Sequence, residues 1–451
     1  MKIQLPQKVD YIINELMEHG YEAYAVGGCV RDSILGKEPE DWDITTSAKP
    51  LEVKKIFHRT IDTGIQHGTV TVMLEKEGYE VTTYRIDGEY EDNRHPKTVE
   101  FTVNLVEDLK RRDFTMNAMA YNEEKGLVDA FCGLKDIQQG IIRCVGSATD
   151  RFDEDALRIL RAVRFSAQLG FIIDGDTLQA IRSKVENLKN ISAERIRVEL
   201  NKLLLSQYPR KLLEAYEMGI TKVVLPEFDV MMKTEQHNSH HIYSVGLHTM
   251  EAVGIVGENN RYKNKERLVL RWTLLLHDVE KPSCKIKGED LEDHFYGHPE
   301  KGAETAKKIL RRLKFDNETI DIVVRLVKWH DYSLTLTPAG MRRATNKIGA
   351  DIMDLLFEVK RADILAQNPK TWAEKIIHLN QAKQLFRDIQ RKKECVNLKM
   401  LAINGKDLLE LGFCSGKAMG ETLDQLLEQV LENPALNEKQ ILIDRAKQFL
   451  E

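Results

Sequence analysis

Along the first 145 positions, apolar residues fall in short runs and alternations that predict strands set between helices. Tyr24–Val26 is a short apolar run, Thr69–Leu74 reads Thr-Val-Thr-Val-Met-Leu, and Glu80–Tyr84 alternates again. A period of two is what a pleated strand with one buried face requires. From about residue 150 the apolar positions take up a helical period almost without interruption, and strand signals end. A second helical block begins near Asn238, where histidines become dense, and a lysine-rich third block begins at Pro369 and carries on to Glu451. The pattern divides the chain into 1–145, 146–237, 238–368 and 369–451, with no solenoid repeat and no low-complexity tract. The expected class is α+β, with a small mixed or antiparallel sheet in the N-terminal domain and all-α domains after it.

Composition narrows this picture. A chain of 451 residues predicts two to four domains, and 42% hydrophobic with 30% charged residues predicts a soluble, globular protein. A net charge of −5 excludes a cationic wrapper of nucleic acid, so any nucleic-acid surface must come from local arginine and lysine clusters. The six cysteines are scattered without paired metal-ligand spacing, which predicts free thiols in a reducing cytoplasm. No apolar run approaches the ~20 residues of a membrane span, and the N-terminus lacks a signal-peptide core. A cytoplasmic protein that does not enter a membrane is expected.

Candidate chemistry begins at Ala25–Leu35, where a strand runs into Gly27-Gly28 and a helix follows carrying Arg31. Glycines at such a corner let backbone N–H groups approach an anion, and Arg31 is placed to clamp a phosphate. Ten residues later comes Asp41-Trp42-Asp43. On a strand, Asp41 and Asp43 would share one face, and two carboxylates so placed repel unless a cation lies between them. Magnesium suits such a pair because it takes carboxylates and substrate phosphates together. Taken alone, an Asp-X-Asp reads as two solvated acids at a strand edge; following a Gly-Gly-X-X-Arg turn at short range, it reads as catalytic.

Tyr84–Val99 has charged and turn-forming residues and no apolar face, which predicts a mobile loop. Leu109–Met119 then places Arg112, Asp113 and Asn117 at the opening of an apolar segment, donors and acceptors suited to phosphates and hydroxyls or to a solvated helix end. Glu154-Asp155-Ala156-Leu157-Arg158 is expected to open one helix running on through Arg161 and Arg164, with Asp155 and Arg158 as neighbours at i,i+3. An acid–arginine pair there offers acceptors and donors to a base edge, or forms an ordinary salt-bridge ladder. Further along, His248, His277-Asp278, His298, His330 and Asp363 are spread over helices. A histidine–aspartate pair at the end of the apolar helix Leu268–Leu276 is placed to ligate a metal.

Together these stretches resemble the class II tRNA nucleotidyltransferase and bacterial poly(A) polymerase family. The resemblance rests on Gly27-Gly28-Cys29-Val30-Arg31-Asp32, Asp41-Trp42-Asp43, Arg111–Asn117, Glu154–Arg158 and Ser192–Arg197, in that order. It implies magnesium on Asp41 and Asp43, the triphosphate on Gly28 and Arg31, and Arg112 with Asp113 and Asn117 at the ribose and phosphates. It implies that Asp155 and Arg158 select cytosine or adenine by their Watson–Crick edges, supported by Arg161 and Arg164. The reaction implied is CCA addition to tRNA from CTP and ATP by two-metal nucleotidyl transfer, with A-only addition and polyadenylation as the neighbouring activities. A CC-only enzyme is disfavoured because the Asp87–Pro96 loop is present, although His95 stands where arginine is common. Asp113 and Glu80 are both candidates for a third carboxylate.

Residues 248–363 resemble the HD phosphohydrolase superfamily. That likeness implies a second divalent metal on His248, His277, Asp278 and Asp363, with His298 and His330 as extra ligands, and a phosphohydrolase activity of a different class. Glu280 stands where glycine is usual. Asn404-Gly405-Lys406-Asp407-Leu408 with Gly412, Gly416 and Gly420 resembles the tRNA-gripping tail of the nucleotidyltransferase family. The resulting domains are a nucleotidyltransferase head (1–145), a helical neck (146–237), an HD domain (238–368) and a tRNA-binding tail (369–451).

Overall fold

The computed structural model describes residues 2–88, 99–238, 241–256, 262–289 and 291–449. By its internal contacts the chain separates into two compact units, Met1–Pro226 and Glu227–Glu451.

The first unit is built on a mixed seven-stranded sheet. Its strands are β1 (Ala23–Val26), β2 (Ile44–Thr46), β3 (Thr60–Gly64), β4 (Thr69–Leu74), β5 (Glu77–Thr83), β8 (Ala120–Asn122) and β9 (Gly126–Val128), in the spatial order β3-β4-β5-β2-β1-β8-β9. β2 and β5 run parallel in register Ile44 to Val81, and the other pairs are antiparallel. β6 (Arg85–Asp87) and β7 (Val99–Phe101) form a separate hairpin. All of β1 is buried, as a central strand covered on both faces must be. One cover is the helix Gln7–Glu18, whose buried Val9, Ile12, Ile13 and Leu16 repeat at i, i+3, i+4 and i+7.

Helices dominate from Ala148 onward, but the short strands at Ile172–Ile173, Ile286–Lys287 and Asp293–His294 lie among them. β10 (Ile141–Ile142) pairs in parallel with β11 (Ile172–Ile173), and β12 (Ile286–Lys287) pairs antiparallel with β13 (Asp293–His294). In the second unit, the helices Val245–Ile255, Asn264–Leu276, Asn317–Trp329 and Met353–Ala366 pack on one another. Toward the C-terminus, Leu408, Leu426, Val430, Leu431 and Leu442 form a separate apolar cluster.

Candidate active site and metal centre

In the first unit the chain leaves β1 through Gly27, whose φ of +84° no bulkier residue adopts comfortably. A Cβ at this position would lie 2.8 Å from Arg112 Nη1, so the turn also brings the guanidinium against the backbone. The helix Gly28–Ile34 follows and carries Arg31 into a buried position. Arg31 donates to Asp32 at 2.9 Å and to Asn117 Oδ1 at 2.6 Å. Asn117 Nδ2 donates in turn to Asp113 Oδ1 at 3.1 Å, and Arg161 Nε donates to Asp113 Oδ2 at 2.7 Å. Arg31, Arg161 and Arg164 also surround the Phe165 ring, at 4.9, 5.4 and 3.8 Å from its centroid. Burial lowers the Arg164 guanidinium to about 10, and its partner is the buried carboxylate of Glu199 at 2.7 Å.

Asp41 and Asp43 do not lie within a strand as expected; β2 begins one residue later, at Ile44. The last ladder bond to β1 runs from Val26 N–H to Asp43 C=O at 2.9 Å, and at Gly27 that partner strand turns away. Asp43 nevertheless senses Asp41. Desolvation raises the Asp43 carboxyl, Arg112 opposes that, and Asp41 raises it further. Extending the β2–β5 register places Glu80 beside Asp43, and Glu80 is raised by desolvation and by both aspartates. Of the two candidate third carboxylates, Glu80 therefore faces the pair. Asp113 is committed elsewhere: burial would raise it, but Arg161 and Asn117 hold it well below the usual carboxylate range.

Glu154–Arg164 is not one helix. The helix Ala148–Glu154 ends at Asp155 (φ −142°, ψ 101°), and Leu157–Leu169 begins a new one. Asp155 makes the break by accepting from Leu157 N–H at 3.1 Å through Oδ1 and from Arg195 Nη2 at 2.7 Å through Oδ2. Arg158 is paired with Glu154 at 2.6 Å and donates to the Arg111 carbonyl at 2.9 Å, so the side chains of Asp155 and Arg158 have separate partners. Arg195, the residue that holds Asp155, gave no sign of that role in local spacing.

In the second unit, His248, His277, Asp278, His298, His330 and Asp363 come together. His248 Nε2 lies 2.9 Å from Asp363 Oδ1 and 3.6 Å from Asp278 Oδ2, and His277 Nε2 lies 3.1 Å from Asp278 Oδ2. On the other oxygen, His298 and His330 Nε2 lie 3.4 and 3.6 Å from Asp278 Oδ1. Each imidazole has its Nδ1 on a backbone carbonyl: Ala366 at 3.2 Å, Leu274 at 2.6 Å, Phe295 at 2.7 Å and Val327 at 2.7 Å, in chain order of the histidines. Nδ1 must donate there, which leaves the Nε2 lone pairs aimed at the centre, the tautomer a metal ligand needs. His248 Nε2, His277 Nε2 and both Asp278 oxygens are buried without a hydrogen-bond partner in good geometry, which fits a divalent cation. His248, His277 and Asp363, and separately His277, Asp278 and His330, present ligand atoms within 4.8 Å of one another.

Lys281 and His241 were not singled out in the sequence. Lys281 Nζ is 2.7 Å from Asp278 Oδ2, three residues further along. The His241 ring packs edge-on against His248 at 4.8 Å; nothing in its spacing separates it from the neighbouring histidines. In the tail, Asn404 and Asp407 bond reciprocally to Lys406 and Asn404 N–H groups, so the Asn-Gly-Lys-Asp stretch is a helix cap. Residues 89–98, which include most of the Asp87–Pro96 loop, lie outside the described residues.

The Poly A polymerase head domain matches residues 23–143, the RNA- and SrmB-binding region of polymerase A matches 170–232, and tRNA nucleotidyltransferase domain 2 matches 300–446. The chain is 34% identical to the CCA-adding enzyme of Ligilactobacillus salivarius, over 98% of this chain and 96% of that protein. It is 35% identical to the CCA-adding enzyme of Geobacillus stearothermophilus, over 95% and 93%. Its structure is similar to that of the Bacillus stearothermophilus CCA-adding enzyme in complex with CTP, with a TM-score of 0.72 at 30% identity, covering 99% and 98% of the two chains.

Proposed function

The chain belongs to the family of CCA-adding tRNA nucleotidyltransferases, and from that premise we propose that it completes tRNA 3′ ends with C, C and A. It takes CTP and ATP, uses no nucleic-acid template and releases pyrophosphate. The observation that carries the reading is the cluster of Asp41, Asp43 and Glu80 beside the Arg112 guanidinium: burial and then Asp41 raise the Asp43 carboxyl against Arg112, and burial and both aspartates raise Glu80. Such a cluster suits magnesium, held by Asp41 and Asp43, which when bound supplies charge neutralisation at the 3′-hydroxyl and the triphosphate. Arg31 and Arg112 take the phosphates, and Arg161 and Arg164 stiffen their surroundings through Asp113, Glu199 and Phe165.

Selection of the base follows from donor and acceptor chemistry. Cytosine and adenine both present an amino group beside a ring nitrogen acceptor, whereas uracil and guanine present a carbonyl beside an N–H. The Asp155 carboxylate accepts from the amino group and the Arg158 guanidinium donates to the ring nitrogen, so only C and A satisfy both. We assign 1–145 as the catalytic head, 146–237 as the neck that reads the base, and 369–451 as the tail that grips tRNA, all working in the cytoplasm. The test is extension of tRNA transcripts ending before CCA, after C and after CC, with CTP and ATP separately and together. Addition of C, C and A followed by a stop is expected; extension of the CC transcript alone, or long A tails, would overturn the assignment.

A second activity is supported by the orphaned atoms of the histidine centre. We infer that 238–368 is a metal-dependent phosphohydrolase of the HD type, its divalent cation held by His248, His277, Asp278 and Asp363, with His298 and His330 on the second Asp278 oxygen. Metal-dependent phosphate release that disappears in Asp278→Asn is the expected result; release that persists there would place the activity elsewhere.

A further inference from the structure

Asp108, on the short helix Leu105–Lys110, is fully buried and has no part in the chemistry described so far. A carboxylate keeps its charge in such a place only where donors offset its lost hydration. Its Oδ1 atom takes the Arg111 guanidinium at 2.8 Å and the Arg85 N–H, at the head of β6, at 3.3 Å. Its Oδ2 atom takes the hydroxyl of Thr45 at 3.2 Å, and Thr45 lies on β2 two positions after Asp43. The same Oδ2 faces Arg112 Nη2 at 3.8 Å, beyond hydrogen-bond length but well within the reach of charge. Arg85, Thr45 and the two arginines thus meet on one carboxylate.

Arg112 is held in no other way by charge at short range. Among the described residues Asp108 is its one ion-pair partner, and its Nε is buried without a hydrogen-bond partner. A buried N–H left without an acceptor fits a ligand that brings one. Burial lowers the Arg112 guanidinium and the adjoining Arg111 adds to the lowering, while Asp108 opposes it more than Asp43 or Asp113 does. Neighbouring guanidinium groups repel, and a carboxylate with one of them on each oxygen offsets that repulsion.

We propose that Asp108 is a positioning residue for the triphosphate, holding the Arg112 guanidinium beside the Gly27 turn by charge and leaving its donors to the phosphates. The proposal rests on the reading of Arg112 as a phosphate-binding residue. Asp108 itself does not touch the nucleotide, so its whole effect on CTP runs through Arg112.

The test measures KM for CTP and for tRNA in addition of the first C, with the full chain carrying Asp108→Asn, Arg112→Gln or both. Each single variant is expected to raise KM for CTP about tenfold, the scale of one charged contact, and the double variant no further. KM for the tRNA should stay as in wild type. An unchanged KM for CTP in Asp108→Asn, where Arg112→Gln raises it, overturns the inference. So do losses that multiply to about a hundredfold in the double variant, because they make the two residues independent. A KM for the tRNA that rises in step with that for CTP also overturns it. If Arg112→Gln itself leaves KM for CTP unaltered, the phosphate reading of Arg112 is what fails. Should Asp108→Asn not fold, Thr45→Val takes its place in the cycle: it frees the oxygen facing Arg112 and keeps the charge. KM for CTP about threefold higher, with no further rise in the Arg112→Gln background, supports the inference, and no change in either background overturns it.

Discussion

Asp155 is held by Arg195, 2.7 Å away and forty residues further along the chain, and not by Arg158 on the adjoining helix. With its other oxygen on Leu157 N–H, the carboxylate is tied at both ends, so in the base-reading role proposed above its acceptor geometry is set in advance. Arg195→Ala is therefore expected to lower discrimination of CTP over UTP about tenfold, with Arg195→Lys retaining part of it. Single-nucleotide incorporation on a tRNA lacking CCA gives the ratio of kcat/KM values; discrimination equal to wild type would show that the pair is only a structural tie.

Asp41→Asn or Asp43→Asn is expected to lower kcat for nucleotide addition by about a thousandfold or more, the scale on which a bound metal stabilises a transferring phosphoryl group. Binding of tRNA, measured by filter retention, should stay close to wild type. Glu80→Gln is expected to cost less, since it relieves repulsion while removing one acceptor.

Gly27→Ala places a methyl group 2.8 Å from Arg112 Nη1 at a φ of +84°. KM for CTP should rise about tenfold as the guanidinium is displaced. Gly20, with a φ of +85° and nothing within 4 Å, provides the control. Gly20→Ala carries the backbone strain alone and should lower stability by about 1 kcal/mol while leaving KM unaltered. Equal KM values for the two variants would dissociate Arg112 from the nucleotide.

Asp113 couples stability to pH. Its folded-state carboxyl lies well below the unfolded value, so the stability it confers is present above about pH 4 and is lost as pH falls further. Because Asp113 is buried and Arg161 is its ion-pair partner at 2.7 Å, Asp113→Asn should cost about 3–5 kcal/mol at pH 7. Urea unfolding at pH 7, 5, 4 and 3 should show the gap between wild type and variant closing at the acid end. A gap independent of pH would mean that charge is not what matters at this position.

Added Mn²⁺ at a hundred times its dissociation constant should stabilise the wild-type chain by about 2.7 kcal/mol. Asp278→Asn should respond little, because both Asp278 oxygens face ligand nitrogens. Chelator followed by a denaturation scan checks this, and an identical response of the two proteins would exclude the histidine centre as the binding site.

What was legible in the sequence was whatever depended on near neighbours. Thr69–Leu74 alternates and is a strand over that span; His277-Asp278 follows an apolar run and sits at the end of a helix. The break at Asp155 was not legible, because Leu157, Leu160 and Val163 continue a helical period and the residue that secures the break comes from a distant helix. Likewise the alternation of Asp41 and Asp43 predicts a strand, whereas the strand ends where its partner turns at Gly27.

His277 and His330 each occupy the position that closes a helix, Asn264–Leu276 and Asn317–Trp329, and each imidazole N–H bonds a carbonyl of the final turn. A terminal carbonyl without such a donor is a liability to the helix. Under the proposed metal role, both residues answer to two separate demands. In the divergence of such a protein, loss of metal chemistry would leave the imidazoles in place, retained for folding alone. Asp278 and Asp363 close no helix, so they are where the history of the activity would be written: a lineage that abandoned it would lose its carboxylates first and its histidines last.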